Sequence, residues 1–123
     1  MTLQVPAGYN EIVFNTSLWE KQIQAKEEEK EEKRIDLLSR AIPKLKAYFA
    51  EKKVNHVYLF GSILQNGKFF EFSDIDIAVS GLQEDYLRTY VELEELLDRE
   101  IDLVELERCP FRKAIKKHGE KVL

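Results

Sequence analysis

A single cysteine, Cys109, stands in 123 residues, which excludes an internal disulfide and any cysteine-based zinc site. That fits a reducing compartment and leaves Cys109 a structural role. Histidine is scarce as well, and His56 and His118 show no ligand spacing. The first eight residues lack the basic and apolar regions of a secretory signal, and no apolar run reaches the roughly 20 residues needed to span a bilayer. The chain is therefore expected to be cytoplasmic, with no membrane partner. No internal repeat is visible. Disorder throughout is excluded by 44% hydrophobic content beside 34% charged residues.

A chain of this length buries roughly two thirds of its unfolded surface, enough for one domain with one modest core. Its net charge of −4 is unevenly spread. Ten acids lie between Glu84 and Glu107, whereas Arg108 to Leu123 carries six bases against Glu120. The basic end reads as a solvated helix face, and direct nucleic-acid binding is not expected.

Met1 to Trp19 mixes aromatic and aliphatic residues with Pro6, Gly8 and Asn10 and has no clear period. "EKQIQAKEEEKEEKR", Glu20 to Arg34, is strong helix former with almost no apolar stripe. From Ile35 the pattern sharpens, because Ile35, Leu38, Ile42, Leu45 and Phe49 recur at spacings of three and four. Composition thus divides the chain into an N-terminal extension with a charged helix, 1–34, and a domain proper, 35–123. Pro43 predicts a kink or a fresh helix start.

"VNHVYLFG" (Val54 to Gly61) reads as a strand, with Ser62 as cap of a short helical turn through Asn66. "DIDIAVS" (Asp74 to Ser80) is a second strand, and Gly81 breaks it from an amphipathic helix over Gln83 to Arg99. "EIDLVEL" (Glu100 to Leu106) alternates as a third strand, Pro110 opens a helix through about Lys117, and "KVL" closes as a short edge strand. This order predicts an α/β (α+β) domain, a small mixed sheet packed by helices. Tyr58, Tyr86 and Tyr90 read as core or boundary residues.

The second strand carries charge where a buried strand should not. Ile75, Ile77 and Val79 point to one face, so Asp74 and Asp76 point to the other, roughly 7 Å apart at the backbone. If the third strand lies alongside, Asp102 joins them. Three crowded carboxylates repel one another, and a hard, oxygen-loving divalent cation such as magnesium resolves the repulsion. Two such ions about 4 Å apart clamp the attacking and leaving oxygens of a phosphoryl or nucleotidyl transfer. Gly61 and Ser62 would form an anion site for nucleotide phosphates through backbone N–H groups and the hydroxyl.

"LFGSILQNG…SDIDIAV" followed by "EIDLVEL" resembles the minimal nucleotidyltransferase (MNT) domain of the DNA polymerase beta superfamily, whose signature is Gly-Ser, about ten residues, then Asp-x-Asp. The resemblance runs from about Ile35 to the C-terminus. It implies a polymerase-beta-like palm in which Gly61 and Ser62 hold the triphosphate of ATP. Asp74 and Asp76 would bind magnesium, and Asp102 would complete the metal site and orient or deprotonate the acceptor hydroxyl. Eleven residues separate Ser62 from Asp74, one more than the pattern. The arginine that many relatives carry after Gly-Ser is replaced by Ile63, Leu64 and Gln65, so that phosphate contact is either missing or supplied by Lys68.

Small proteins of this family, the MntA-type antitoxins, are typically paired with a HEPN-domain ribonuclease toxin and transfer AMP from ATP to one of its tyrosines. The resemblance therefore implies a magnesium-dependent protein adenylyltransferase, with residues 1–19 and the basic C-terminus as docking surfaces. Two alternatives stay open: a catalytically silent module that neutralises its partner by contact, and a small-molecule nucleotidyltransferase.

Overall fold

In the computed structural model, which describes residues 16–123, the charged and the amphipathic stretches merge into one helix, α1 (Thr16–Ala50). The expected turn-rich opening lies, through residue 15, outside the described residues, and Thr16 to Trp19 are already helical. Pro43 neither ends nor restarts α1. It removes one N–H and frees the carbonyl of Ser39, but both residues sit on the solvent side, where that carbonyl is open to water. Its neighbours Ala41 and Leu45 are buried and hold the helix in place. The stripe also starts later than its spacing suggests: Ile35 is 52% exposed, and burial begins around Leu37 and Leu38.

The strands follow as β1 (His56–Phe60), β2 (Ile75–Ser80), β3 (Ile101–Glu105) and the two-residue β4 (Glu120–Lys121), in sheet order β3-β2-β1-β4. β1 pairs antiparallel with β2 and with β4, whereas β2 and β3 run parallel. A parallel pair needs a crossover, and α2 (Tyr86–Leu97) supplies it. α2 starts where Asp85 accepts a hydrogen bond from the Arg88 N–H and ends at Asp98 in the left-handed region. The last helix, α3 (Arg112–His118), opens two residues after Pro110. The result is the mixed sheet expected from the element order.

One sheet face carries the core. Val57, Leu59, Ile75, Ile77, Val79, Ile101 and Leu103 pack against Ala41, Leu45 and Phe49 of α1 and Leu93 and Leu97 of α2. The opposite face holds a smaller cluster, Tyr58, Ala78, Leu106, Cys109 and Ile115, so the single expected core has a satellite. Cys109 is buried there, as its structural reading requires. Arg112, Lys113, Lys116 and Lys117 are all exposed on α3. Among the described residues no helix is long and apolar enough to cross a membrane.

Candidate active site

The satellite cluster covers only part of the second sheet face, and the carboxylates occupy the rest. Asp76 pairs in register with Asp102 across the parallel β2–β3 ladder, so both side chains leave the sheet on the same side as neighbours. Asp74 precedes β2 by one residue and is exposed, Asp76 is half-buried and Asp102 is exposed. Burial first, then the charges of Asp102 and Asp74, push the Asp76 carboxyl up to about 6. Asp102 therefore lies beside Asp76, whose carboxyl also feels the charge of Asp74. Among the described residues no three His, Cys, Asp or Glu side chains are grouped so as to hold a metal ion. The backbone register sets two of the carboxylates, Asp76 and Asp102, side by side.

Gly61 faces the same spot. The chain leaves β1 with Gly61 at φ +78, a conformation that glycine adopts without strain. A Cβ at this position would fall on Asp76 Oδ2 and lie 3.1 Å from its Cγ. The glycine thus gives the turn its bend and gives the Asp76 carboxylate its room. Ser62 lies inside the short 3₁₀ turn Gly61–Leu64 rather than capping it. The cap position belongs to Phe60, whose side chain makes no capping bond, and the Ser62 carbonyl accepts from the Gln65 N–H at 3.0 Å. The expected cap fails because the glycine, one residue earlier, already makes the turn. Lys68 is exposed in the loop that follows.

Two arginines with no place in the motif hold this arrangement. Arg34 of α1 donates from Nη1 to the Ile63 carbonyl at 2.7 Å, while Glu31 grips the other side of its guanidinium. The long helix is thereby stapled to the Gly-Ser turn. Arg99 donates to the carbonyls of Phe70, Glu71 and Ser73 and lies over the Phe69 ring. Burial lowers its guanidinium from the ordinary value, against the attraction of Asp74 and Glu71. Tyr86, on the first turn of α2, donates to the Leu103 carbonyl at 2.6 Å beside Asp102. Burial, then Asp102 and Glu105, push its hydroxyl up.

The sequence model described as "Polymerase beta, Nucleotidyltransferase" matches residues 43–123, more than half of the chain. The protein belongs to the polymerase beta nucleotidyltransferase family. Among curated proteins none matches significantly. A chain in the crystal structure of a toxin–antitoxin with AMP-PNP is 28% identical, over 67% of this chain and 72% of that one, with a TM-score of 0.56. A chain in the crystal structure of the toxin–antitoxin MntA-HepT is 24% identical over 69% and 71%, with a TM-score of 0.51, a likeness of fold.

For a polymerase beta family nucleotidyltransferase the carboxylate donors are chemically apt. They offer only oxygen, as a hard divalent ion requires, and the upward push on Asp76 comes from burial first and then from the charges of Asp102 and Asp74, which such an ion would relieve. Beside Gly61 a cleft of about 350 Å³ is lined by Phe60, Gln65, Phe111 and His118. Arg34 and Arg99 escaped the sequence reading because their partners are backbone carbonyls 29 and 26 to 29 residues away. No local spacing signals such a bond.

Proposed function

We propose that this nucleotidyltransferase is the antitoxin of a toxin–antitoxin pair and a protein adenylyltransferase, moving AMP from ATP to a tyrosine hydroxyl of a HEPN-domain toxin in the cytoplasm. The observation that carries the chemistry is the β2–β3 register, which sets Asp102 beside Asp76. The assignment of partner rests on the 28% identity to a chain of a toxin–antitoxin with AMP-PNP. Residues 35–123 are the catalytic unit and 1–34 an extension that contributes the Arg34 staple.

In this reading Asp74, Asp76 and Asp102 hold magnesium, two ions by the family pattern, which when bound neutralises charge on the triphosphate and the leaving group. Gly61 and Ser62 receive the terminal phosphates, and the neighbouring cleft takes the rest of the nucleotide. Asp102 orients the tyrosine hydroxyl and accepts its proton. The phenolic oxygen forms a bond to the α-phosphorus of ATP, the bond from that phosphorus to the β-phosphate bridge oxygen breaks, and pyrophosphate leaves. Placing the hydroxyl in line gains the rate advantage of proximity, and the bound toxin supplies that placement.

Intact-mass spectrometry of the toxin after incubation with this protein, ATP and magnesium tests the reading. The expected result is toxin heavier by one or more adenylate units, and no addition with Asp102→Asn. The eleven-residue Ser62–Asp74 spacing favours one competing reading, a silent module that acts by contact. Toxin neutralised with no mass change, and equally well by Asp74→Asn and Asp76→Asn, establishes that reading instead.

A further inference from the structure

We infer that Arg99 is a positioning residue for the carboxylate site: it fixes the approach to Asp74 against the strand that carries Asp102. The inference rests on the metal-binding reading of the three aspartates. Arg99 follows the left-handed Asp98 that ends α2, and its N–H bonds the Glu94 carbonyl at 3.3 Å, so its backbone is anchored to the helix. Two residues later β3 begins, with Asp102 as its second residue. The Arg99 side chain turns the other way, into the loop before β2.

There it makes three hydrogen bonds to backbone oxygens. Nε donates to Ser73 at 2.9 Å, and Nη2 donates to Phe70 and Glu71, each at 2.7 Å. The same short segment closes on itself, because the Phe70 N–H donates to Ser73 Oγ and the Ser73 N–H to the Phe70 carbonyl. Ser73 directly precedes Asp74, and the next residue, Ile75, donates its N–H to the Glu100 carbonyl beside Arg99. One planar guanidinium therefore ties the entrances of β2 and β3 together. A lysine could not span these carbonyls, since its ammonium is a single point on a flexible stem.

Two effects of Arg99 on a bound cation oppose each other, which makes the inference testable by sign. Its positive charge beside Asp74 repels a divalent ion, so charge alone predicts tighter binding when Arg99 is neutralised. Its hydrogen bonds hold the Asp74 backbone, so positioning predicts weaker binding. Groups that orient metal ligands without touching the metal typically contribute 10–100-fold in affinity.

The test is Mn²⁺ binding to the full chain, followed by electron paramagnetic resonance of the free ion, in the parent, Asp76→Asn, Arg99→Gln and Arg99→Lys. The expected result is binding by the parent, its loss in Asp76→Asn, and at least about tenfold weaker binding in both Arg99 variants. Arg99→Lys keeps the charge and loses the fork, so it decides the question by itself should Arg99→Gln not fold. Equal or tighter binding in whichever Arg99 variants fold overturns the positioning role while leaving the metal site in place. Parent and Asp76→Asn binding Mn²⁺ equally would instead overturn the metal site, and the inference with it.

Discussion

Replacing Asp76 by asparagine removes a charge that the fold holds at a disadvantage, and the metal-free protein should become more stable for it. The Asp76 carboxyl titrates at about 6 in the folded protein, against an ordinary 3.8. The native state therefore holds its proton more tightly than the unfolded chain does. The sign follows directly: stability from this group is highest below about pH 4, falls as pH rises through the interval to about 6, and stays low above it. At about 1.4 kcal/mol per pH unit the full gap corresponds to a ceiling of about 3 kcal/mol. The group is only half-buried, so water and salt screen part of that, and about 1 to 1.5 kcal/mol is the expected gain above pH 7. For a domain of this size that is a rise of about 4 °C in Tm. Thermal melts of parent and Asp76→Asn in EDTA, at pH 8 and pH 4, should show the gain at pH 8 and little of it at pH 4. Adding magnesium should then raise the Tm of the parent and not of the variant. An Asp76→Asn protein that melts at or below the parent at pH 8 in EDTA would refute the argument from burial and crowding.

Gly61→Ala should cost about 1–3 kcal/mol, because alanine is strained at that positive φ, and its methyl group drives the Asp76 carboxylate aside. Denaturant titration reads the first effect and loss of Mn²⁺ binding the second; a stable variant that binds Mn²⁺ like the parent contradicts both. Arg34→Gln breaks the charged hydrogen bond to the Ile63 carbonyl and should lower stability by about 1.5–3 kcal/mol. Its affinity for ATP, measured by calorimetry at a temperature where the variant is folded, should fall as well, since the staple holds the Gly-Ser turn; unchanged affinity would confine Arg34 to packing.

Much of this arrangement is legible in the amino-acid order because the chemistry is local. Ile75, Ile77 and Val79 alternate with Asp76 and Ala78, and a period of two leaves only one way to face a carboxylate away from the core. Gly61 announces a turn by its type alone. The parallel pairing of β2 with β3 is not legible in this way, because a helix-length connection permits a crossover without requiring one, and the order of elements leaves open whether the two strands are neighbours. Of the two outcomes Pro43 allows, the fresh helix start does not occur, because the proline sits on the exposed side of α1, where water can serve the freed carbonyl. Ile35 misleads because it sits on the apolar stripe by spacing but before the point where α1 meets the sheet. Arg34 and Arg99 leave no pattern at all, since every residue, proline included, offers the same backbone carbonyl.

The 35 residues of α1 run about 52 Å at 1.5 Å per residue, and the sheet supports only the second half. Ser17 to Lys30 are all exposed, and Lys30 at the end of this run lies over the Phe70 ring. A free peptide of that composition would first have to organise a turn with little return, the step that keeps short helices marginal in water. Here the packed segment from Leu37 onward serves as a permanent nucleus. Each residue toward the N-terminus adds one propagation step, aided by the Gln24–Glu28 hydrogen bond and the Glu29–Lys33 ion pair. One continuous helix thus contains two kinds of order. The half on the sheet is expected to melt with the domain as a unit and the other half to loosen residue by residue, with Arg34 at the seam between them.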